Sequence, residues 1–143
     1  PPPRPDVKYL LDTDALSEPV RRRPSERFLR TLDAHAAEVA ISSISVGEIV
    51  FGALRIPNGE RYLAYLQDVV LPRVPVLPVE VAVASRYGAL RSELARAGRT
   101  VADLDLLIAA TALTHELVVV TRNVRHFGRI PKLELADWFE RSG

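Results

Sequence analysis

The sequence has no cysteine, and none of its apolar runs approaches the roughly 18 uninterrupted residues that a membrane-spanning helix needs. Without cysteine the chain can form neither disulfides nor thiolate metal sites, which fits the reducing cytoplasm. Without a long apolar run it is not expected to cross a membrane. We therefore expect a cytoplasmic protein with no membrane partner.

Lysine is scarce and the net charge is small. The basic residues are 17 arginines and two lysines, and the formal net charge is +1. This balance excludes the strong global basic field that marks many nucleic-acid-binding proteins. Arginine suits phosphate recognition better than lysine does, but a genomic bias towards arginine codons explains the excess more simply. The charge totals therefore do not decide the function.

The order of the apolar segments predicts the fold. In a chain of 143 residues, 48% of them hydrophobic, one domain is expected. The predicted strands cover residues 9–11, 39–41, 74–79 (broken by prolines, hence at an edge), 118–120 and 133–135. Helical spacing between them indicates an α/β fold, a three-layer α/β/α sandwich with a central, mostly parallel sheet. The proline-rich residues 1–7 are predicted to be a disordered leader, and residues 8–143 a single domain.

Acidic residues occupy the predicted junctions between strands and helices. They are Asp12 with Asp14, Glu48, and Asp103 with Asp105, and a fourth junction carries Asn123. Because the carboxyl ends of parallel strands meet at one edge of a sheet, we expect these side chains to converge. Crowded carboxylates repel one another, and oxygen ligands without cysteine or paired histidine suit Mg²⁺ or Mn²⁺. The sequence thus predicts a divalent-metal site that orients a water for attack on a phosphodiester.

The acids of the first two junctions also have structural interpretations. Ser45 and Glu48 match the S-x-x-E pattern of a capping box, in which Glu48 only satisfies backbone donors. Asp14 can cap the helix that follows the first strand. No capping role is evident for Asp12, so it is the strongest candidate for a functional acid.

The third junction is open to similar interpretations. Asp103 is favoured as the N-cap of the apolar helix over residues 103–114, and Asp105 lies in the first turn, where the helix dipole favours a negative charge. For Asp105, the ligand and dipole interpretations are equally good. The three histidines lack metal-ligand spacing, and His126, although close to Asn123, is more simply a surface residue.

Arginines flank the predicted site. The run Arg21–Arg23 is favoured as a solvated loop rather than a phosphate cradle. Arg122 and Arg125, with Arg129, follow the strand at residues 118–120 and are better candidates for contacts with substrate phosphates.

Four segments together resemble the motifs of PIN-domain ribonucleases, most closely the VapC-type toxins of bacterial toxin–antitoxin pairs. They are YLLDTD (residues 9–14), SVGE (45–48), DLLIAATA (105–112) and TRNVRHF (121–127). The resemblance covers about residues 9–138. It implies a parallel α/β/α sandwich and a Mg²⁺- or Mn²⁺-dependent endoribonuclease that cuts structured RNA such as tRNA or rRNA. It further implies a homodimer and a cognate antitoxin whose C-terminal segment occupies the acidic cleft.

Carried over by position, the resemblance assigns the catalytic and metal-binding residues. The three acids of the family fall on Asp12, Glu48 and Asp105. The fourth position, often Asp in the family, falls on Asn123. A neutral amide there implies weaker binding of one metal ion, with Asp14 or Asp103 as supporting ligands.

Two other functions are open at this point. Asp12-Thr13-Asp14 also resembles the strand-end D-x-D of haloacid-dehalogenase-like phosphohydrolases, in which the first Asp is a covalent nucleophile, but neither Lys8 nor Lys132 lies at a strand-end junction as that chemistry requires. Alternatively, Asn123 marks a catalytically decayed site, and the domain serves as a binding module.

Overall fold

The structure, a computed structural model, describes residues 4–139. Its strands are β1 (Tyr9–Leu11), β2 (Val39–Ser42), β3 (Val76–Leu77), β4 (Val118–Val120) and β5 (Leu135–Ala136). They form one sheet in the order β3-β2-β1-β4-β5, and every pairing is parallel. The predicted α/β fold is confirmed, and the proline-broken strand β3 lies at an edge as expected.

Helices connect the strands. They are α1 (Thr13–Ser17), α2 (Glu26–Ala34), α3 (Ser43–Leu54), α4 (Glu60–Tyr65), α5 (Val81–Arg96), α6 (Asp103–Thr114) and α7 (Val124–Phe127). A 3₁₀ turn follows α1 at Glu18–Val20, and α4 continues as a π-helical turn over Leu66–Val70. Among the described helices, none is long and apolar enough to cross a membrane.

Both faces of the sheet are buried. In β1, Leu11 packs into a cluster with Phe28 of α2 and Ile49 of α3, while its neighbour Leu10 packs with Ile108 of α6 on the opposite face. Successive side chains of a strand point to opposite faces, so these two clusters lie on the two sides of the sheet. Leu10 and Leu11 are 0% and 3% exposed, which makes β1 the centre of a three-layer α/β/α sandwich.

The structure describes four residues before Lys8, residues 4–7. Residues 1–3 of the predicted leader lie outside the described residues, as do residues 140–143. The Val7 N–H donates to the Arg4 carbonyl at 3.0 Å, and Val7 is 7% exposed in the cluster that contains Leu10. Val7, at the end of the predicted leader, therefore contributes to the core.

The strand order creates a crevice beside β1. From β1 the chain adds β2 and then β3 on one side, and after α6 it crosses to place β4 and β5 on the other. The crevice at the carboxyl ends of β1 and β4 is the point where the direction of winding reverses, and open α/β sheets bind ligands at such points. The segments after β1, β2 and β4 all begin at this edge.

A close backbone contact fixes the start of α4. Gly59 is buried and its carbonyl accepts the N–H groups of Tyr62 and Leu63. A Cβ at this position would lie 1.7 Å from the carbonyl oxygen of Ala53 at the end of α3. Only glycine therefore allows α3 and α4 to approach as closely as they do.

We expect Gly59→Ala to lower the free energy of unfolding by about 1–3 kcal/mol, the usual cost of overpacking. The matched control is Gly88→Ala in the middle of α5, where a Cβ would meet nothing within 4 Å. This control should raise stability by about 0.5–1 kcal/mol, because glycine is unfavourable inside a helix. Urea unfolding midpoints measure both changes, and a Gly59→Ala protein as stable as wild type would contradict the packing described here.

Candidate active site

Asp12 ends the central strand and begins the first helix. Its carboxylate is the N-cap of α1, accepting the Ala15 N–H at 2.8 Å, and it also accepts a hydrogen bond from the Thr121 side chain. The predicted cap, Asp14, lies in the first turn instead, because helical geometry begins at Thr13. The prediction that Asp14 caps this helix is therefore wrong, and Asp12 has the capping role that the sequence did not reveal.

Burial makes Asp12 difficult to ionise. Asp12 is only 6% exposed, and desolvation of its carboxyl group raises the pKa from 3.8 to about 6. Hydrogen bonds from Thr121 and the Ala15 N–H lower the pKa, but the negative charges of Asp14 and Asp105 raise it further. Burial and like charges both disfavour the carboxylate form, so a cation at this position would relieve an existing electrostatic cost.

Glu48 lies in α3, the helix that follows β2, and its carboxylate is held by Thr13 of α1. Helix α3 begins at Ser43 and its N-cap is Ser42, whose hydroxyl accepts the Ile44 N–H at 3.0 Å. The predicted capping box of Ser45 and Glu48 is therefore wrong, because the helix starts one turn earlier than the pattern suggested. Instead, the Thr13 hydroxyl donates to the Glu48 carboxylate and lies 2.9 Å from the Ser45 hydroxyl.

Asp103 does not cap α6. The N-cap position belongs to Ala102, which provides no side-chain hydrogen bond, and Asp103 lies in the first turn. Its carboxylate accepts the Tyr87 hydroxyl at 2.8 Å and lies 3.6 Å from Arg91 of α5. The N-cap prediction for Asp103 is wrong, and this acid ties α6 to α5.

Asp105 contacts a histidine that sequence reasoning undervalued. Its carboxylate lies 2.9 Å from Nε2 of His126 in α7, and the two side chains are 33% and 24% exposed. The interpretation of His126 as a simple surface residue is wrong, because it lines the same cleft as Asp105. The only sequence signal was its position three residues after Asn123, since Asp105 is 21 residues away.

Most of the predicted site residues line one cleft of about 290 Å³ at the carboxyl edge of the sheet. Those that line it are Asp12, Asp14, Glu48, Asp105 and Asn123, together with Thr13, Ser17, His126 and Phe127. Asp103 is not among them and lines a separate cavity between α5 and α6. Within residues 4–139, however, no three acidic or histidine side chains are close enough together to hold a metal ion.

The cleft nevertheless has the chemistry of a site for a hard cation. Its donors are carboxylate, hydroxyl and amide oxygens, which suit Mg²⁺ and Mn²⁺. The cation would also offset the desolvation and like-charge repulsion that raise the pKa of Asp12. The donor types of the cleft therefore fit a divalent ion, and Asp12 is the most buried acid among them.

Two arginines predicted to contact phosphate have different surroundings. Arg122 lies 3.2 Å from the carboxylate of Glu18 and its guanidinium is 4.2 Å from the centre of the Phe139 ring. Arg125 is exposed beside a cavity that Arg99 and Arg129 also line. Because Arg122 already contacts Glu18 and Phe139, Arg125 is the better candidate of the two for a contact with phosphate.

A buried ionic network supports the rim of the cleft. Glu18 is 2% exposed and accepts the Ser25 N–H at 2.8 Å, and Arg21 and Arg122 lie 3.1 and 3.2 Å from its carboxylate. Arg21 also pairs with Asp14. Sequence reasoning missed this role of Glu18 because one of its partners, Arg122, is 104 residues away along the chain.

Comparison with known proteins identifies the family. A model described as "PIN domain" matches residues 9–133. The chain is 33% identical over 132 residues to "Ribonuclease VapC2" of Haemophilus influenzae, and 35% identical over 135 residues to "tRNA(fMet)-specific endonuclease VapC" of Shigella flexneri. Each of these matches covers 92% of this chain and 98% of the relative.

Solved structures agree with the sequence relatives. The DNA-bound VapBC of Salmonella typhimurium is similar with a TM-score of 0.85 and 35% identity, over 92% of this chain and 98% of that one. The FitAcB structure from Neisseria gonorrhoeae gives a TM-score of 0.82 and 33% identity, over 91% and 97%. The chain therefore belongs to the PIN-domain family and, within it, to the VapC-type ribonuclease toxins of toxin–antitoxin systems.

Proposed function

We propose that this endoribonuclease requires a divalent metal ion, Mg²⁺ or Mn²⁺, and that it hydrolyses phosphodiester bonds of structured RNA. The observation that carries the proposal is the cleft at the carboxyl edge of the sheet, which is lined by Asp12 at the start of α1, Glu48 of α3 and Asp105 of α6. Since one relative is named as specific for tRNA(fMet), tRNA is the first substrate class to test, with rRNA second.

The residues of the chain have distinct tasks in this proposal. Asp12, Glu48 and Asp105 would hold the metal ion, and Asn123 would add a neutral oxygen. When bound, such an ion lowers the pKa of a water and stabilises charge on the phosphate. Thr13 orients Glu48 through its hydroxyl, and His126 holds Asp105 at 2.9 Å.

The RNA backbone also needs contacts away from the acids, because carboxylates repel phosphate. Arg125 is the candidate, with Arg99 and Arg129 beside it in one cavity of about 670 Å³. Arg122 remains a predicted contact, although its guanidinium already binds Glu18. Arginine pairs with phosphate through its planar fork of donors.

The phosphohydrolase alternative is not favoured. A covalent aspartate mechanism of that kind needs a lysine beside the nucleophile, but Lys8 pairs with Glu38 at the amino end of β1, with 63% of its side chain exposed. Lys132 is exposed before β5, also away from the cleft. The decayed-module alternative is not favoured either, since the relatives are named as ribonucleases.

A cognate antitoxin is the proposed protein partner, because the structural neighbours are VapBC complexes. We propose that its C-terminal segment occupies the acidic cleft. The homodimer and the cytoplasmic location remain predictions. The helical segments 62–70 and 83–94 are the candidates for pairing the subunits, and Val69 in the first of them is an exposed apolar side chain, at 46%.

The direct test is RNA cleavage by the purified protein. In Mg²⁺ or Mn²⁺, wild type should cleave tRNA at discrete positions, measured by mapping new 5′ ends. Asp12→Asn and Asp105→Asn should each reduce the rate by more than the ~10–100-fold typical for residues that only orient a ligand. Asn keeps a cap for α1, so loss of activity by Asp12→Asn would not reflect loss of the helix.

The matched control is Asp33→Asn, which neutralises an exposed acid of α2 outside the cleft and should cleave at the wild-type rate. Full activity of either cleft variant, or equal activity of wild type in EDTA, would contradict the proposed site.

Asp12 should also make the metal-free protein sensitive to pH. Because its folded-state pKa is raised from 3.8 to about 6, its contribution to stability is complete below pH ~4 and is lost as the pH rises through about 6. The free energy of unfolding of Asp12→Asn, measured relative to wild type in EDTA, should therefore rise by about 3 kcal/mol between pH 4 and pH 8. Urea midpoints at several pH values measure this difference, and a difference that does not change with pH would show that Asp12 is not buried as described.

Asn123→Asp tests the neutral position of the site. A fourth carboxylate among the proposed ligands should tighten Mn²⁺ binding, because each added negative ligand strengthens the attraction for a hard cation. The Mn²⁺ concentration that gives half of the maximal rise in thermal midpoint should fall severalfold. Asp33→Asn again serves as control, and an unchanged Mn²⁺ dependence in Asn123→Asp would remove residue 123 from the proposed ligands.

A further inference from the structure

A groove runs from the acidic cleft to a cavity lined by arginines. The acidic cleft shares Thr13, Ser17 and Glu48 with a neighbouring cavity of about 280 Å³. That cavity in turn shares Arg21, Ile56 and Tyr62 with a third one of about 600 Å³. The third cavity, here called the arginine pocket, is lined by Arg21, Arg22, Arg23, Ile56, Asn58, Arg61 and Tyr62.

Two of these arginines carry uncompensated charge. Arg21 pairs with Asp14 and Glu18, whereas Arg22 and Arg23 are exposed and have no carboxylate partner among residues 4–139. In a protein whose net charge is only +1, two unpaired guanidinium groups at one end of a groove create a local positive potential. This potential lies next to a cleft of opposite sign.

The arginine segment is held in place from both ends. Pro19 and Pro24 flank it, Nε of Arg21 lies 3.1 Å from the buried carboxylate of Glu18, and the Ser25 N–H donates to the same carboxylate at 2.8 Å. Because the segment is anchored, Arg22 and Arg23 lose less conformational entropy on binding a ligand than side chains on a free loop would. The interpretation of this run as a simple solvated loop does not account for its anchoring or for the groove.

The pocket also offers flat groups. The Tyr62 ring lies under the guanidinium of Arg61, with 5.8 Å between the guanidinium carbon and the ring centre, and Arg61 is itself held by the Val20 carbonyl. Unpaired bases of RNA stack on aromatic rings and on guanidinium planes. Asn58 adds an amide that can bond a base edge or a phosphate.

We propose that the arginine pocket binds RNA, with Arg22 and Arg23 contacting phosphates of an unpaired strand that leaves the acidic cleft along the groove. The inference rests on the proposed function, since it assumes that the scissile phosphate lies at the cleft. A nucleic-acid strand fits both wall types, phosphates on Arg22 and Arg23 and a base on the Arg61–Tyr62 wall. An acidic protein segment would use only the arginines.

The test measures RNA binding without metal, so that it does not depend on cleavage. A labelled single-stranded RNA of about 12 nucleotides and one of about 4 nucleotides are titrated in EDTA at several salt concentrations. Arg22→Gln/Arg23→Gln should weaken binding of the longer RNA on the order of 10-fold near 0.1 M salt and reduce the salt slope by about 1.4, the value for two phosphate contacts on a single strand. The affinity advantage of the longer RNA should shrink in the variant.

The matched control is Arg4→Gln/Lys132→Gln. It also removes two positive charges, but from exposed positions before β1 and β5, at the amino edge of the sheet opposite the cleft. This control should bind with the wild-type affinity and salt slope, and urea midpoints should show that both double variants are folded.

Equal binding by the two double variants would overturn the proposal. A second outcome would also overturn it. If Arg22→Gln/Arg23→Gln no longer bound polyglutamate but kept the wild-type affinity for RNA, the pocket would be a site for an acidic protein segment. The proposed function fails separately, if wild-type protein cleaves no RNA in Mg²⁺ or Mn²⁺.

Discussion

The rest of the site depends on the burial of one carboxylate at the end of the central strand. Asp12 follows β1, which is covered on both faces, and its side chain is fixed by the Ala15 N–H as the cap of α1. The cap prevents the carboxylate from turning towards solvent without breaking the start of the helix. The fold therefore keeps a charge where desolvation opposes it, and Asp14 and Asp105 add repulsion.

Ionic pairs around the cleft limit this repulsion without removing it. Arg21 and Arg122 meet on the buried carboxylate of Glu18, which links the turn after α1 to the segment after β4. A buried carboxylate with two guanidinium partners and a backbone donor is well satisfied. Arg21 reaches on to Asp14 at the rim, but no described cation contacts Asp12. The network thus stabilises the two sides of the crevice, but it does not offset the negative charge of Asp12.

The fold and the position of the site could be predicted from the sequence because both depend on patterns along the chain. Apolar runs such as Val118–Val120 identify buried parallel strands, and parallel strands bring their carboxyl ends to one edge. Helix caps were harder to predict, because a capping pattern depends on the residue at which the helix begins. Ser42 and Ser45 both suit a cap, and only the end of β2 decides between them. The pair of Asp105 and His126 depends on packing between α6 and α7, for which the sequence carries no periodic signal.

The hydrogen bonds that orient the acids leave room for a cation. Thr13 uses only Oε1 of Glu48, and His126 uses only Oδ2 of Asp105, so each carboxylate keeps one oxygen that bonds no other described residue. A ligand held through one oxygen loses little rotamer freedom when its other oxygen binds a metal ion. Asp12 precedes α1, whereas Glu48 lies in α3 and Asp105 in α6, so each carboxylate is oriented by a different part of the chain. In the proposed function, the unbonded oxygens of Glu48 and Asp105 are the atoms that would turn towards a metal ion.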